Sequence, residues 1–234
     1  MFAYFKRRFS YYLDQGISSF MPFIILRSLR TGLHAIWAKG NWDALPGTGF
    51  VIAANHHSWW DVYLVFLLAK QLNRNLSAMM DDEQLATFRF FRNLGGVGRK
   101  EVREAIRRLK RGNMFVILPE GNLQQNGEVK ALKKGVMFLA KASKTDIYPL
   151  AVRVVMRGAQ HPEAFFLLGE KLELSGDETE DLRVLKDALN DLLQDIDETL
   201  ETTNPEEQPI GFERWLSGRA SVSERTDWLK RLWL

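Results

Sequence analysis

Asn55-His56-His57-Ser58-Trp59-Trp60-Asp61 sets two imidazoles and a carboxylate directly after the apolar run 50–54. An imidazole beside a carboxylate is half of a catalytic triad: the acid fixes the ring's tautomer and stabilises the imidazolium while the ring takes a proton from a hydroxyl. Spacing leaves the choice of histidine open, since His57 and Asp61 would share a helical face at i, i+4 whereas His56 and Asp61 would not. Ser58 followed by Asp61 also fits a helix start, with Ser58 as N-cap and Asp61 in the first turn; on that reading Asp61 only caps and the histidines only fill space. A metal site is not expected: adjacent histidines point apart in an extended chain, and His34 and His161 form no helical pair with them.

A second polar loop, Pro119-Glu120-Gly121-Asn122, follows the apolar run 114–118. Pro119 stops the strand, Glu120 stands at its rim, and Gly121 lets backbone or ligand approach closely. By itself it reads as a turn.

Positioning these loops falls to alternating strand and helix patterns. Runs 50–54, 76–80, 114–118, 147–155 and 165–168 read as strands; 59–70, 83–93, 100–111 and 132–142 read as helices. The alternation predicts an α/β fold, a single domain with a largely parallel or mixed central sheet flanked by helices. Ligands in such sheets bind beyond the carboxyl ends of the strands, where both loops fall. The acidic, leucine-spaced stretch 178–201 reads as a helix packing one stripe on the core.

The two loops together resemble the glycerolipid acyltransferases, the 1-acylglycerol-3-phosphate acyltransferases among them. Asn55-His56 to Asp61 is similar to that family's first block, Pro119-Glu120-Gly121 to the centre of its third, and Tyr148-Pro149-Leu150-Ala151-Val152 to its fourth, in the family's order. The resemblance implies His56 as general base and Asp61 as its orienting acid. It implies that Glu120 helps hold a glycerol-phosphate acceptor beside Gly121, and it leaves His57 without a role. The third block departs from the family at Asn122 and Leu123, where threonine and arginine are usual, so a phosphate-binding cation is missing from its place. Arg99, after Gly95-Gly96-Val97-Gly98, is the substitute clamp, because guanidinium grips phosphate oxygens bidentately; Lys133 and Lys134 are the alternatives. The activity implied is transfer of a fatty acyl group from acyl-CoA or acyl carrier protein to a lysophospholipid in phospholipid biosynthesis, with no cofactor. Its alternatives are a different or non-phosphorylated acceptor, or an inactive membrane-binding member of the family.

Composition bounds the rest. With 234 residues and no cysteine, one domain fits, and a disulfide framework, a thiolate zinc site and a cysteine nucleophile are excluded. Lys6, Arg7, Arg8, Arg27, Arg30 and Lys39 against Asp14 give the first forty residues a net +5. Interleaved with aromatics, they predict a basic helical arm over 1–40 lying on an anionic membrane surface, with the acyltransferase domain at 41–203. A tryptophan-bearing segment, 204–234, packs on the body or on membrane. The apolar stretch 17–26 is too short to span a bilayer. Lys6 to Arg8 precede it as in a signal peptide, but Asp14 and Gln15 intervene. A monotopic or peripheral protein on the cytoplasmic face is therefore expected. The basic stretch 99–111 has neither an aromatic platform nor a groove-reading motif, so no nucleic-acid partner is expected.

Overall fold

A computed structural model describes the backbone of residues 19–230 and side chains through residue 226. Eight strands form one sheet in the order β4-β3-β5-β2-β6-β7-β1-β8. The strands are β1 (Ala35–Lys39), β2 (Phe50–Ala54), β3 (Leu76–Met80), β4 (Gly96–Gly98), β5 (Met114–Ile117), β6 (Ile147–Val155), β7 (Glu163–Leu168) and β8 (Glu213–Ser217). Pairing from β4 through β6 is parallel, as is β1 with β7, while β6–β7 and β1–β8 are antiparallel. The sheet is mixed, and the carboxyl ends of β2, β3, β4, β5 and β6 share one rim.

Both faces of the sheet are covered, which is why its central strands are apolar at every position rather than at alternate ones. On one face lie α1 (19–32) and α2 (Asp61–Gln71). Met21, Ile25 and Leu29 of α1 and Leu64, Val65 and Leu68 of α2 pack on Phe50, Ile52, Val116 and Phe166. On the other face lie α4 (Val102–Lys110), α5 (Gly135–Ser143) and α6 (Glu178–Thr202), whose Leu109, Val136 and Leu189 pack on Val51, Phe115 and Phe165. The short helix α3 (Asp82–Thr87) borders β4, and α7 (Val222–Lys230) closes the described chain.

Three strands lie outside the sequence reading. β4 is Gly-Val-Gly, with too few side chains to show a pattern. β1 lies inside the expected arm and β8 inside the expected tail, so the boundaries at 40 and 203 cut through the sheet. Residues 1–18, including Lys6, Arg7 and Arg8, lie outside the described residues, as do the side chains of Trp228 and Trp233. The expected helix 83–93 is broken at Phe88 into α3 and a 3-10 turn, Arg89–Arg92. In the tail, Phe212 is buried and Trp215 packs against Trp42 at 4.7 Å between ring centroids. Among the described residues, no helix is long and apolar enough to cross a membrane.

Candidate active site

Residues 55–60 run from the end of β2 to the start of α2 without regular structure. Asn55 fixes the beginning of this link: its side chain donates to Val152 O at 2.9 Å and accepts from Val152 N at 2.7 Å, acting as one more backbone unit beside β6. The helix begins at Asp61, later than a Ser58 cap would have it, and Ser58 Oγ instead accepts the Trp60 N–H at 3.2 Å. Asp61 makes two contacts within this link. Its Oδ2 accepts the Ser58 N–H at 3.0 Å, reaching back as a capping acid does, and lies 2.8 Å from His56 Nδ1. The carboxylate is 2% exposed and the imidazole 20%.

Helical spacing favours His57, but neither histidine is helical, and the extended link sends the two rings to opposite sides. His57 turns into the protein, where its ring lies between Arg153 and Glu120. With Nδ1 directed at Asp61, the Nε2 of His56 is left for a ligand.

His56 lines a polar pocket of about 870 Å³, counting its open mouth, together with Asp81, Arg99, Gly121 and Asn122. The strand ends thus bring most of the sequence-predicted residues together. Arg99, directly after β4, donates to Gly121 O at 2.9 Å and lies 3.4 Å from Asp81 Oδ2, so its charge is partly matched by a residue the sequence did not single out. Lys133 lies over Gly121: the glycine has φ +80, and a Cβ there would collide with the lysine's Nζ. Asn122 is exposed on the pocket wall. Lys134 is drawn away to Glu178 at 2.7 Å, which raises its pKa.

Glu120 departs from its expected place. Its side chain is 2% exposed and turned inward, with Oε1 accepting the backbone N–H of His56 at 2.7 Å, so it holds the loop that carries His56 rather than facing the pocket. Gln124 N adds a bond to His56 O at 2.8 Å, and Lys133 N donates to Pro119 O at 2.8 Å.

Against the polar pocket lies an apolar cavity of about 540 Å³, open space included, which the sequence did not disclose. Val62, Met79, Met80 and Leu118 line both. The cavity runs on to Ile25, Phe66 and Leu76 between α1, α2 and the sheet. No group of three or more residues among those described could hold a metal ion.

Residues 38–153, which span both loops and Tyr148 to Val152, match the model of the family described as Acyltransferase. The fold is similar to that of the 1-acyl-sn-glycerophosphate acyltransferase PlsC from Thermotoga maritima, with a TM-score of 0.58 and 19% identity over 82% of this chain and 83% of that one. No curated protein matches the sequence.

Proposed function

The chain belongs to the acyltransferase family, and from that premise we propose that it moves a fatty acyl group from an acyl thioester to the free hydroxyl of a lysoglycerolipid. The donor is acyl-CoA or acyl carrier protein, and the acceptor a 1-acylglycerol-3-phosphate, as the name of the Thermotoga maritima protein suggests. One observation carries this reading: a His56–Asp61 pair at 2.8 Å stands in a polar pocket that adjoins an apolar cavity.

The acid holds Nδ1–H, so Nε2 is the basic nitrogen. His56 Nε2 takes the proton of the acceptor hydroxyl, and the resulting alkoxide attacks the thioester carbonyl. The new C–O bond forms, the C–S bond breaks, and the imidazolium returns its proton to the departing thiolate. No acyl-enzyme is required. General-base help of this kind is worth about 10²- to 10⁴-fold in rate. The acyl chain is assigned to the apolar cavity, where each buried methylene adds about 0.8 kcal/mol, because the shared wall at Val62 and Leu118 leads from it towards His56. Arg99 and Lys133 flank Gly121 and supply the positive charge for the acceptor's phosphate.

The same face suits a membrane surface. Phe20, Phe23 and Ile24 on α1, with Trp59 and Val62 at the start of α2, are exposed, and Arg27 and Arg30 lie on the outer side of α1. Aromatic and basic side chains mixed in this way favour the interface of an anionic bilayer.

A non-phosphorylated acceptor is the second reading, favoured by Leu123 at the family's arginine position and by Asp81 beside Arg99. Incubating the purified protein with labelled acyl thioesters and a panel of lysolipids decides the matter. The proposal expects acylated lysophosphatidic acid; acylation of uncharged monoacylglycerol alone supports the second reading, and no lipid product overturns both.

A further inference from the structure

His57, Arg153 and Asp197 lie behind the pocket, and the reaction as described uses none of them. The His57 side chain is 2% exposed, and its Nδ1 lies 3.2 Å from Arg153 NH1. Arg153, a lone cation in the apolar strand β6, is 7% exposed at its side chain. It is gripped by Asp197 of α6 through Nε at 3.0 Å and NH2 at 2.6 Å, and NH1 also donates to Gly127 O at 3.2 Å. On its other side His57 Nε2 is buried without a hydrogen-bond partner, 3.5 Å from Glu120 Oε1, the same oxygen that accepts the backbone N–H of His56.

The chemistry of the groups fixes the proton. A guanidinium has donors only, so His57 Nδ1 must accept, and in the neutral ring the proton sits on Nε2, facing Glu120. Asp197 aims the guanidinium, the guanidinium sets the tautomer, and the Nε2–H faces the carboxylate that fastens the loop of the base.

We propose that His57 is a positioning residue for acyl transfer, held by Arg153 and Asp197 as a buried relay that keeps Glu120 on the backbone of His56. The inference deepens the acyl-transfer reading and rests on it for kinetics, but the relay itself is tested without activity. It also explains why a second histidine follows the base, and it gives α6, outwardly a solvated acidic helix, a part in the site.

Two arms test it on the full-length protein. The first is the ¹⁵N spectrum of labelled histidine, where the neutral His57 ring is expected to carry its proton on Nε2. Asp197→Asn, at a half-exposed position, is expected to bring in a second tautomer. A proton on Nδ1, or a spectrum indifferent to Asp197→Asn, overturns the relay, whether or not the protein transfers acyl groups. The second arm compares substitutions at 57. Glutamine sets its amide near the position of Nε2 and can present a donor to Glu120, whereas asparagine reaches only the position of Nδ1. In His57→Ala and His57→Asn, kcat is expected to fall about 5- to 30-fold, the effect of losing one buried hydrogen bond, with both KM values within about twofold. His57→Gln is expected to recover most of the rate. Equal rates in glutamine and asparagine variants of matched Tm, or a loss confined to KM, overturn the positioning role.

Discussion

Glu120 Oε1 accepts the backbone N–H of His56 at 2.7 Å, so the loop after β5 is fastened to the loop after β2 directly at His56. Glu120→Ala leaves a buried donor without a partner and is expected to cost about 1 to 3 kcal/mol of stability. Glu120→Gln keeps an acceptor oxygen and should lose much less. Urea unfolding of both variants, with initial rates beside it, checks the order.

How far the sequence disclosed this arrangement depended on side-chain pattern. β2, β5 and β6 are buried on both faces and stand out as apolar runs, so the rim carrying the two loops was legible. β4 has little pattern to read, and β8, an edge strand with three exposed residues, is too polar to stand out. Pro149 argues against a central strand, yet β6 lies between β2 and β7, and the missing N–H is tolerated there. Spacing could not choose the histidine because the rule belongs to helices and both histidines precede one. Arg153 was a signal passed over: a cation in an apolar strand must find an acid elsewhere, and Asp197 lies 44 residues away.

Arg99 and Lys133 are expected to divide the work of holding the acceptor's phosphate. Losing a charge-assisted hydrogen bond costs about 1.5 to 3 kcal/mol, so Arg99→Ala should lower acceptor efficiency about 10- to 150-fold with little change in the KM for thioester. Lys133→Ala should act in the same direction. Lysophosphatidic acid and an uncharged monoacylglycerol, compared on each variant, separate a phosphate contact from a structural one. Equal losses on both acceptors would mean the cations hold the loop and not the phosphate.

The turn carrying Arg99 should loosen in acid. The Gly98 backbone N–H, donating to Glu101 Oε2 at 2.8 Å, and then Arg92 hold the Glu101 carboxyl below the ordinary carboxylate range. A lowered folded-state pKa stabilises at pH above the unfolded value, about 4.3, and that contribution is lost as pH falls through the folded pKa. Protection of the amides of residues 98–102 against hydrogen exchange, relative to the intrinsic rate at each pH, should therefore fall below about pH 4 in the wild type. In Glu101→Gln this fall should be absent, with protection already lower at neutral pH.

Membrane attachment is tested on α1 by substitution, because removing residues 1–40 would take β1 out of the sheet. Changing Phe20, Phe23 and Ile24 to serine should weaken sedimentation with all liposomes. Changing Arg27 and Arg30 to glutamine should weaken it mainly with anionic ones, and less so at high salt. Unaltered sedimentation of both folded variants would leave this face with no part in binding.

The central claim is that His56, oriented by Asp61, is the base. Its most direct test is the initial rate of acyl transfer by His56→Ala, alongside His57→Ala and with circular dichroism matched to wild type. The account predicts a loss of about 10²-fold or more for His56→Ala, well beyond that of His57→Ala. A folded His56→Ala protein that transfers acyl groups as fast as His57→Ala would contradict it.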